Sequence, residues 1–333
     1  MSVVSNWIDA LQSNNLREGE TADPISKWLV LTRASVFPMT FFAAAIGGLL
    51  ALPDPHARIG PWIVCTIGLL LAHACNNLMN DYFDMEEGVD TPEYARALYA
   101  PHPVLSGWIT RRELVRAILV VNALGVAAAL YLTWVRGWGA AAFALAGFAL
   151  SYFYVAPPLK LKHHGLGEPS VFLIWGPLMI AGSYFITTGR LEPWVWGASL
   201  PYGLLVMTVL FGKHIDKIEL DAPKHIRTLP VILGEARARR TNQVLMIGFF
   251  VSVVGLVLAG VLGVFSLLVL AAVPKLVQSL RIYSRPKPSR PPENYPVWPL
   301  WFVGAAFVVT RQAGAFLALG LLLDAMTGIR LRT

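Results

Sequence analysis

The chain has 333 residues, 56% hydrophobic and only 14% charged, with a net charge of +7. Ordinary globular domains carry roughly 25% charged residues, so a water-soluble fold of this size could not clothe its surface. The positive balance would suit nucleic acid if it lay on one polar face, but the cations fall between apolar blocks, so a bilayer is the expected partner and nucleic acid is not.

The first 26 residues are polar and mixed in charge, without the apolar stretch of a cleavable signal peptide, and residues 1–34 form an N-terminal cytoplasmic segment ahead of the membrane. Nine apolar blocks follow, at roughly 35–52, 59–78, 114–134, 139–156, 169–187, 193–211, 243–262, 265–283 and 297–323, each close to the length of a bilayer span. They predict an all-α polytopic membrane protein with nine transmembrane helices in a single domain over 1–333. With the N-terminus in the cytoplasm, 21 of the 27 Lys and Arg lie on the cytoplasmic side. Arg58, Arg136, Arg190, Arg330 and Arg332 lie on the other, and Arg311 falls inside the ninth block. That bias fixes the orientation and puts two long loops, 79–113 and 212–242, in the cytoplasm. The only cysteines, Cys65 and Cys75, share the second helix. They stand about 15 Å apart along its axis, too far for a disulfide.

The second helix runs into the first of these loops through His73, Asn76, Asn77, Asn80, Asp81 and Asp84. At helical spacing His73, Asn77, Asp81 and Asp84 fall on one stripe, with Asn80 one turn before Asp84. Gly88 can break the helix and let Asp90 turn back toward the same place. Carboxylates crowded at a membrane boundary repel one another unless a cation joins them. Mg²⁺ suits oxygen donors of this kind, with phosphate oxygens and water completing its octahedron. Amides buried just before them are costly in hydrocarbon unless they serve a function.

The string Asn77-x-x-Asn80-Asp81-Tyr82-x-Asp84-x-x-x-Gly88-x-Asp90 resembles the first aspartate-rich motif of the UbiA superfamily of intramembrane prenyltransferases. Its ending is most similar to the branch that prenylates 1,4-dihydroxy-2-naphthoate in menaquinone biosynthesis. Pro103-Val104-Leu105-Ser106-Gly107 resembles the family's P-L-S-G turn, but the Arg usual before it is missing: Ala100 and His102 stand there, and Arg96 is the nearby cation. Between the fourth and fifth helices Pro157-Pro158 stops the chain, and Lys160 and Lys162 follow, able to meet a phosphate as point charges. Gly165-Leu166-Gly167-Glu168 again resembles the naphthoate branch, whereas His163 and His164 lack a third ligand at zinc spacing.

Arg227-Thr228-Leu229-Pro230-Val231-Ile232-Leu233-Gly234 closes the second loop much as the family's R-T-L-P-x-x-L-G segment does. Counting back from Arg227, Asp221 holds the last position of the usual D-x-x-x-D, while Lys217 takes the earlier one and Asp216 stands one residue ahead of it. Lys213-His214 replaces the usual Asn pair. The second metal is therefore expected on Asp216 and Asp221, with Glu219 as an alternative; otherwise Lys213 or Lys217 supplies part of its charge.

The resemblance implies nine helices around a central cavity and Mg²⁺-dependent transfer of a prenyl group from an isoprenoid diphosphate to a naphthoate or phenolic acceptor. It implies Mg²⁺ on Asn77, Asp81, Asp84 and Asp90, with Asp216 and Asp221 as the second site, and diphosphate contacts from Asn80, Lys160, Lys162, Lys213 and Arg227. Asp81, Asp84, Asp216 and Asp221 are the residues on which catalysis should depend. An intramembrane terpene cyclase, or a polyprenyl-phosphate phosphoribosyltransferase, would use the same scaffold.

Overall fold

The computed structural model describes residues 3–17, 19–293, 295 and 297–329. Among these, nine helices are long and apolar enough to cross a membrane. They are α1 (Ala34–Ala51), α2 (Ile59–Glu86), α3 (Arg111–Arg136), α4 (Trp138–Val155), α5 (Gly167–Thr188), α6 (Pro193–Asp216), α7 (Glu235–Leu258), α8 (Val264–Tyr283) and α9 (Phe302–Thr327). The all-α fold and its nine spans agree with the apolar blocks, and both cysteines are free. Arg330 and Arg332, counted above on the far side, lie outside the described residues.

Among the boundaries that differ from the hydropathy pattern, two shape the site. α2 and α6 run on into polar sequence, to Glu86 and Asp216, so the acidic residues expected in loops stand on the last turns of helices. A helix satisfies its own backbone whatever its side chains carry. Carboxylates held on it have fixed spacing, which a loop would not give them.

The helices close a ring. α9 packs against α8 on one side and α1 on the other, and α6 packs against α5, α7 and α9. Tyr202 and Phe211 of α6, Met246 and Phe249 of α7, and Phe302 of α9 are fully buried at the centre of this packing. Small residues allow the closest approach: a Cβ on Gly203 would stand 2.7 Å from the Phe172 carbonyl oxygen and 3.0 Å from the Cα of Gly176. α3 and α4 instead turn apolar surface outward. Trp134 and Trp138, at the turn between them, are 83% and 86% exposed, as suits an aromatic belt at a bilayer interface. The protein is a multi-pass membrane protein. Two short helices, Val3–Ser13 and Pro24–Leu31, precede α1 on the face where α2 and α6 end.

Inside the ring lies a cavity of about 1360 Å³. Arg33, Asn76, Asn77, Asn80 and Lys213 line one end, and its wall follows α2 back to Cys65. Fifteen residues of helix make that about 22 Å. The far part is walled by apolar side chains such as Leu69, Leu130, Leu132 and Phe143. A long apolar chamber with a charged mouth fits an amphiphile with an anionic head.

Candidate active site

The mouth is built on the last three turns of α2. Asn76 donates to the Ser151 backbone oxygen on α4 at 3.0 Å and to its hydroxyl at 2.8 Å. Asn77 donates to the Thr32 carbonyl at 2.9 Å. The two amides thus brace α2 against α4 and against the chain entering α1. Asn77 lines the cavity, and this bond uses its nitrogen, leaving the carbonyl oxygen as the atom able to bind a cation. One turn on, Asn80 donates to Asp84.

Asp81 is fully buried and held by two guanidinium groups. Arg96 clamps it with two bonds, 3.1 and 3.2 Å long, and Arg33 pairs with the same carboxylate. Arg33 sits at the break between the N-terminal helices and α1, in the left-handed backbone region at φ 55°. Burial alone would lower its basicity, but Asp81 prevails and its pKa is raised. Lys162, from the α4–α5 connector, pairs with Asp84. Gly88, at φ 69°, ends α2, and the Val89 and Asp90 amides then bond the Asp84 carbonyl at 2.8 and 3.0 Å. This turn brings Asp90 back as the glycine suggested: a donor atom from each of Asp81, Asp90 and His102 lies within 4.8 Å of the other two. His102 Nδ1 accepts from the Val104 and Leu105 amides at 3.3 and 3.2 Å. A neutral ring therefore carries its proton on Nε2, which faces Asp90 at 3.5 Å.

The second loop comes to the same mouth by Asp221, fully buried at the end of a helical turn, Ile218–Asp221. Lys217 pairs with it at 3.3 Å, and the Tyr94 hydroxyl donates to it. The Lys217 ammonium also lies 4.6 Å from the Tyr94 ring centroid. Burial lowers the pKa of Lys217, but Asp221 and then Tyr94 outweigh it, so the ammonium is held charged. Burial and the neighbouring carboxylate both raise the Tyr94 phenol, which keeps its proton to donate. Lys224 closes the gap between the loops by bonding the Gly88 and Val89 carbonyls. Behind this layer His214 meets Glu168 at 2.7 Å, joining α6 to α5.

Three expected site residues are placed elsewhere. Asp216 is not in the acidic cluster: both its oxygens accept from the Trp301, Phe302 and Val303 amides, at 2.9, 3.0 and 3.0 Å. It caps the N-terminus of α9, where those N–H groups lack helical partners and the helix dipole favours an anion. Arg227 is exposed, and its backbone amide is what docks, onto the His163 carbonyl at 3.1 Å. Lys160 pairs with Glu87 at 2.8 Å on the rim. Conversely, Arg33 and Tyr94 were not anticipated as site residues. Arg33 is one of many cations flanking the apolar blocks, and Tyr94 carries no charge to mark it.

Asn77, Asp81, Asp84, Asp90 and Asp221 offer hard oxygen donors in the polar layer beside the charged end of the cavity, where Asn77 lines the wall and Arg33 and Asn80 link it to Asp81 and Asp84. Asp90 Oδ2 and Asp221 Oδ2 are buried without a hydrogen-bond partner among the described residues. Such orphaned oxygens are costly on their own and fit an oxygen-seeking divalent ion.

Residues 39–303 match the UbiA prenyltransferase family. The chain belongs to this family. This UbiA-family chain is 30% identical to the 1,4-dihydroxy-2-naphthoate octaprenyltransferase of Escherichia coli over 78% of its own length and 85% of that protein's. It is 24% identical to the enzyme of the same name from Bacillus subtilis, covering 81% of this chain and 88% of the relative. Among solved structures, a UbiA homolog from Archaeoglobus fulgidus bound to GPP and Mg²⁺ superposes with a TM-score of 0.60 at 17% identity, over 89% of this chain and 99% of that one. A UbiA homolog from Aeropyrum pernix superposes with a TM-score of 0.65 at 15% identity, over 87% and 98%. At those identities the likeness establishes the shared fold. The family and the named relatives make the chain a prenyltransferase.

Proposed function

We propose that this prenyltransferase takes its prenyl group from a magnesium-bound isoprenoid diphosphate and transfers it to an aromatic acceptor of the dihydroxynaphthoate class. The observation that carries the reading is the pairing of carboxylates and cations at the charged end of a long apolar chamber. Two relatives named for dihydroxynaphthoate prenylation support the acceptor class. The Archaeoglobus structure, solved with GPP and Mg²⁺, supports the donor and the ion.

Asn77, Asp81, Asp84, Asp90 and Asp221 would hold the ion, which supplies positive charge against the diphosphate as its bond to carbon weakens. The protein's own cations do the rest of that work. Lys162, Lys217 and Arg33 now neutralise the carboxylates, and Lys213 lines the cavity beside them. When a diphosphate enters, these ammonium and guanidinium groups stand within reach of its oxygens and stabilise it as it leaves. The apolar wall below keeps water from the allylic cation until the acceptor carbon closes the new bond. The ring then regains its aromaticity by losing the group that carbon carried, a proton taken by the departing diphosphate or a carboxylate released as CO2.

The test is to incubate purified membranes with Mg²⁺, prenyl diphosphates of several lengths and candidate aromatics, and to follow products by mass spectrometry. Prenylated aromatic is expected, with diphosphate release that requires the acceptor. Release without acceptor, accompanied by a cyclic hydrocarbon or alcohol, would establish a cyclase instead; product made only from a sugar diphosphate would establish a phosphoribosyltransferase.

We also propose that the site faces the cytoplasm, on the strength of the Lys/Arg bias. Cysteines introduced near residues 93 and 236 should resist an impermeant maleimide in intact cells and react after permeabilisation. Labelling from outside would reverse the orientation.

A further inference from the structure

Two turns below Asp81 on the same stripe of α2, His73 is 6% exposed and lines the cavity. Eight residues of helix separate the two, about 12 Å, so His73 lies beneath the diphosphate end, not within it. Its surroundings fix its proton. Nδ1 is 2.7 Å from the Thr40 hydroxyl of α1. The same hydroxyl oxygen accepts from Trp175 Nε1 at 3.0 Å. Thr66, Thr133 and Thr187 each give their hydroxyl proton to a carbonyl four residues back. Thr40 has no such bond among the described residues, and it is fully buried. A buried hydroxyl uses its proton, and the acceptor within reach of Thr40 is His73 Nδ1. Trp175 can only donate, so the chain of bonds runs in one direction, from indole to hydroxyl to imidazole. The imidazole therefore carries its own proton on Nε2.

That nitrogen makes no hydrogen bond among the described residues, and His73 has no ion pair among them. The ring is held between Trp175, edge-on at 5.2 Å between centroids, and Phe37, at 5.4 Å. Trp175 comes from the wide-turned stretch Ile174–Ala181 of α5, interrupted by Pro177; such π-type turns re-aim side chains and recur at functional sites. A polar group in an apolar chamber is costly unless something bonds it. Here three helices have fixed an imidazole so that its one unspent donor belongs to the cavity.

We propose that His73 binds the aromatic acceptor, its Nε2–H donating to an oxygen on the acceptor ring while Trp175 and Phe37 form an aromatic wall beside it. This rests on the transfer reading above. His73 sits at the depth where a ring must lie if its carbon is to meet the prenyl carbon below the diphosphate. Because Nδ1 is committed to Thr40, His73 orients the acceptor and does not take its proton.

The experiment measures steady-state kinetics of the full chain with 1,4-dihydroxy-2-naphthoate and a prenyl diphosphate, for wild type, His73→Phe and His73→Gln. Phe keeps the packing and loses the donor, whereas Gln restores an N–H at similar reach. His73→Phe should raise the acceptor KM about tenfold or more, the usual cost of leaving one such bond unmade. The prenyl diphosphate KM should stay near wild type, the melting temperature should fall only as the Thr40 hydroxyl loses its acceptor, and His73→Gln should recover most of the loss in acceptor KM. An unchanged acceptor KM in His73→Phe, or parallel losses toward both substrates in Phe and Gln alike, would overturn the inference. Failure of the wild type to prenylate any aromatic would show instead that the transfer reading is wrong, and this inference would fall with it.

Discussion

Asp84→Asn should reduce turnover on the order of a thousandfold while the protein remains folded. The change keeps the volume and one carbonyl oxygen but removes a formal charge from the coordination proposed for the ion. A loss of that size corresponds to about 4 kcal/mol of transition-state stabilisation. What it leaves behind is Lys162, whose Nζ had paired with Asp84. A lysine can turn toward the aqueous mouth or give up its proton, so the folded state tolerates the loss. Asp81→Asn should be equally inactive but less stable. Its carboxylate neutralises both Arg33 and Arg96, and a guanidinium cannot deprotonate to escape burial. Breaking a buried pair typically costs about 3–5 kcal/mol. Measuring turnover and thermal unfolding together checks both claims. An Asp84→Asn enzyme near wild-type rate at saturating Mg²⁺ would remove Asp84 from the metal site. An Asp81→Asn protein with an unchanged melting temperature would show that the two arginines do not depend on it.

Much of the fold was legible because a bilayer imposes length and apolarity on every span, and both are visible in the letters. The first half of the site was legible for a related reason. His73, Asn77, Asp81 and Asp84 belong to one helix, and helical spacing alone puts them on one side. What the letters could not show was what faces that stripe from other elements. Arg33 reaches Asp81 across 48 residues of chain and Lys162 reaches Asp84 across 78. Contacts of that range depend on how helices pack. Tyr94 is the plainest case: an uncharged residue in a loop, it becomes part of the site because a phenol fits between Lys217 and Asp221. The misplacement of Asp216 is different, since spacing argued against it. Five helical residues turn a side chain by about 140°, so a helix carried past Asp216 could not aim it and Asp221 at one ion. The break at Lys217 keeps them apart as well, so the resemblance to a two-aspartate motif does not extend to Asp216.

The corrected placement separates two acidic residues that stand five positions apart. Asp221→Asn should lose at least a hundredfold in turnover and some stability with it, because the Lys217 ammonium is left without its buried partner. The amide oxygen can still accept from Tyr94, but the charge that faces Lys217 and an incoming cation is gone. Without it the site would hold its ion with one carboxylate fewer, and the buried ammonium would lose its counter-charge. Asp216→Asn should lose stability alone. Two oxygens now receive three backbone N–H groups at the start of α9; asparagine offers one oxygen, and its amino group would face donors. Loss of a cap of this kind costs about 1–2 kcal/mol, and part of the dipole contribution goes with it. Turnover per folded molecule should stay close to wild type, because both oxygens of Asp216 are spent on backbone amides and neither joins the carboxylate and cation cluster. Rates normalised to folded protein, set beside melting temperatures, decide the matter. If Asp216→Asn were the inactive variant and Asp221→Asn the merely unstable one, the second cation site would have to be rebuilt around α9, and Lys217 would lose its place beside the leaving diphosphate.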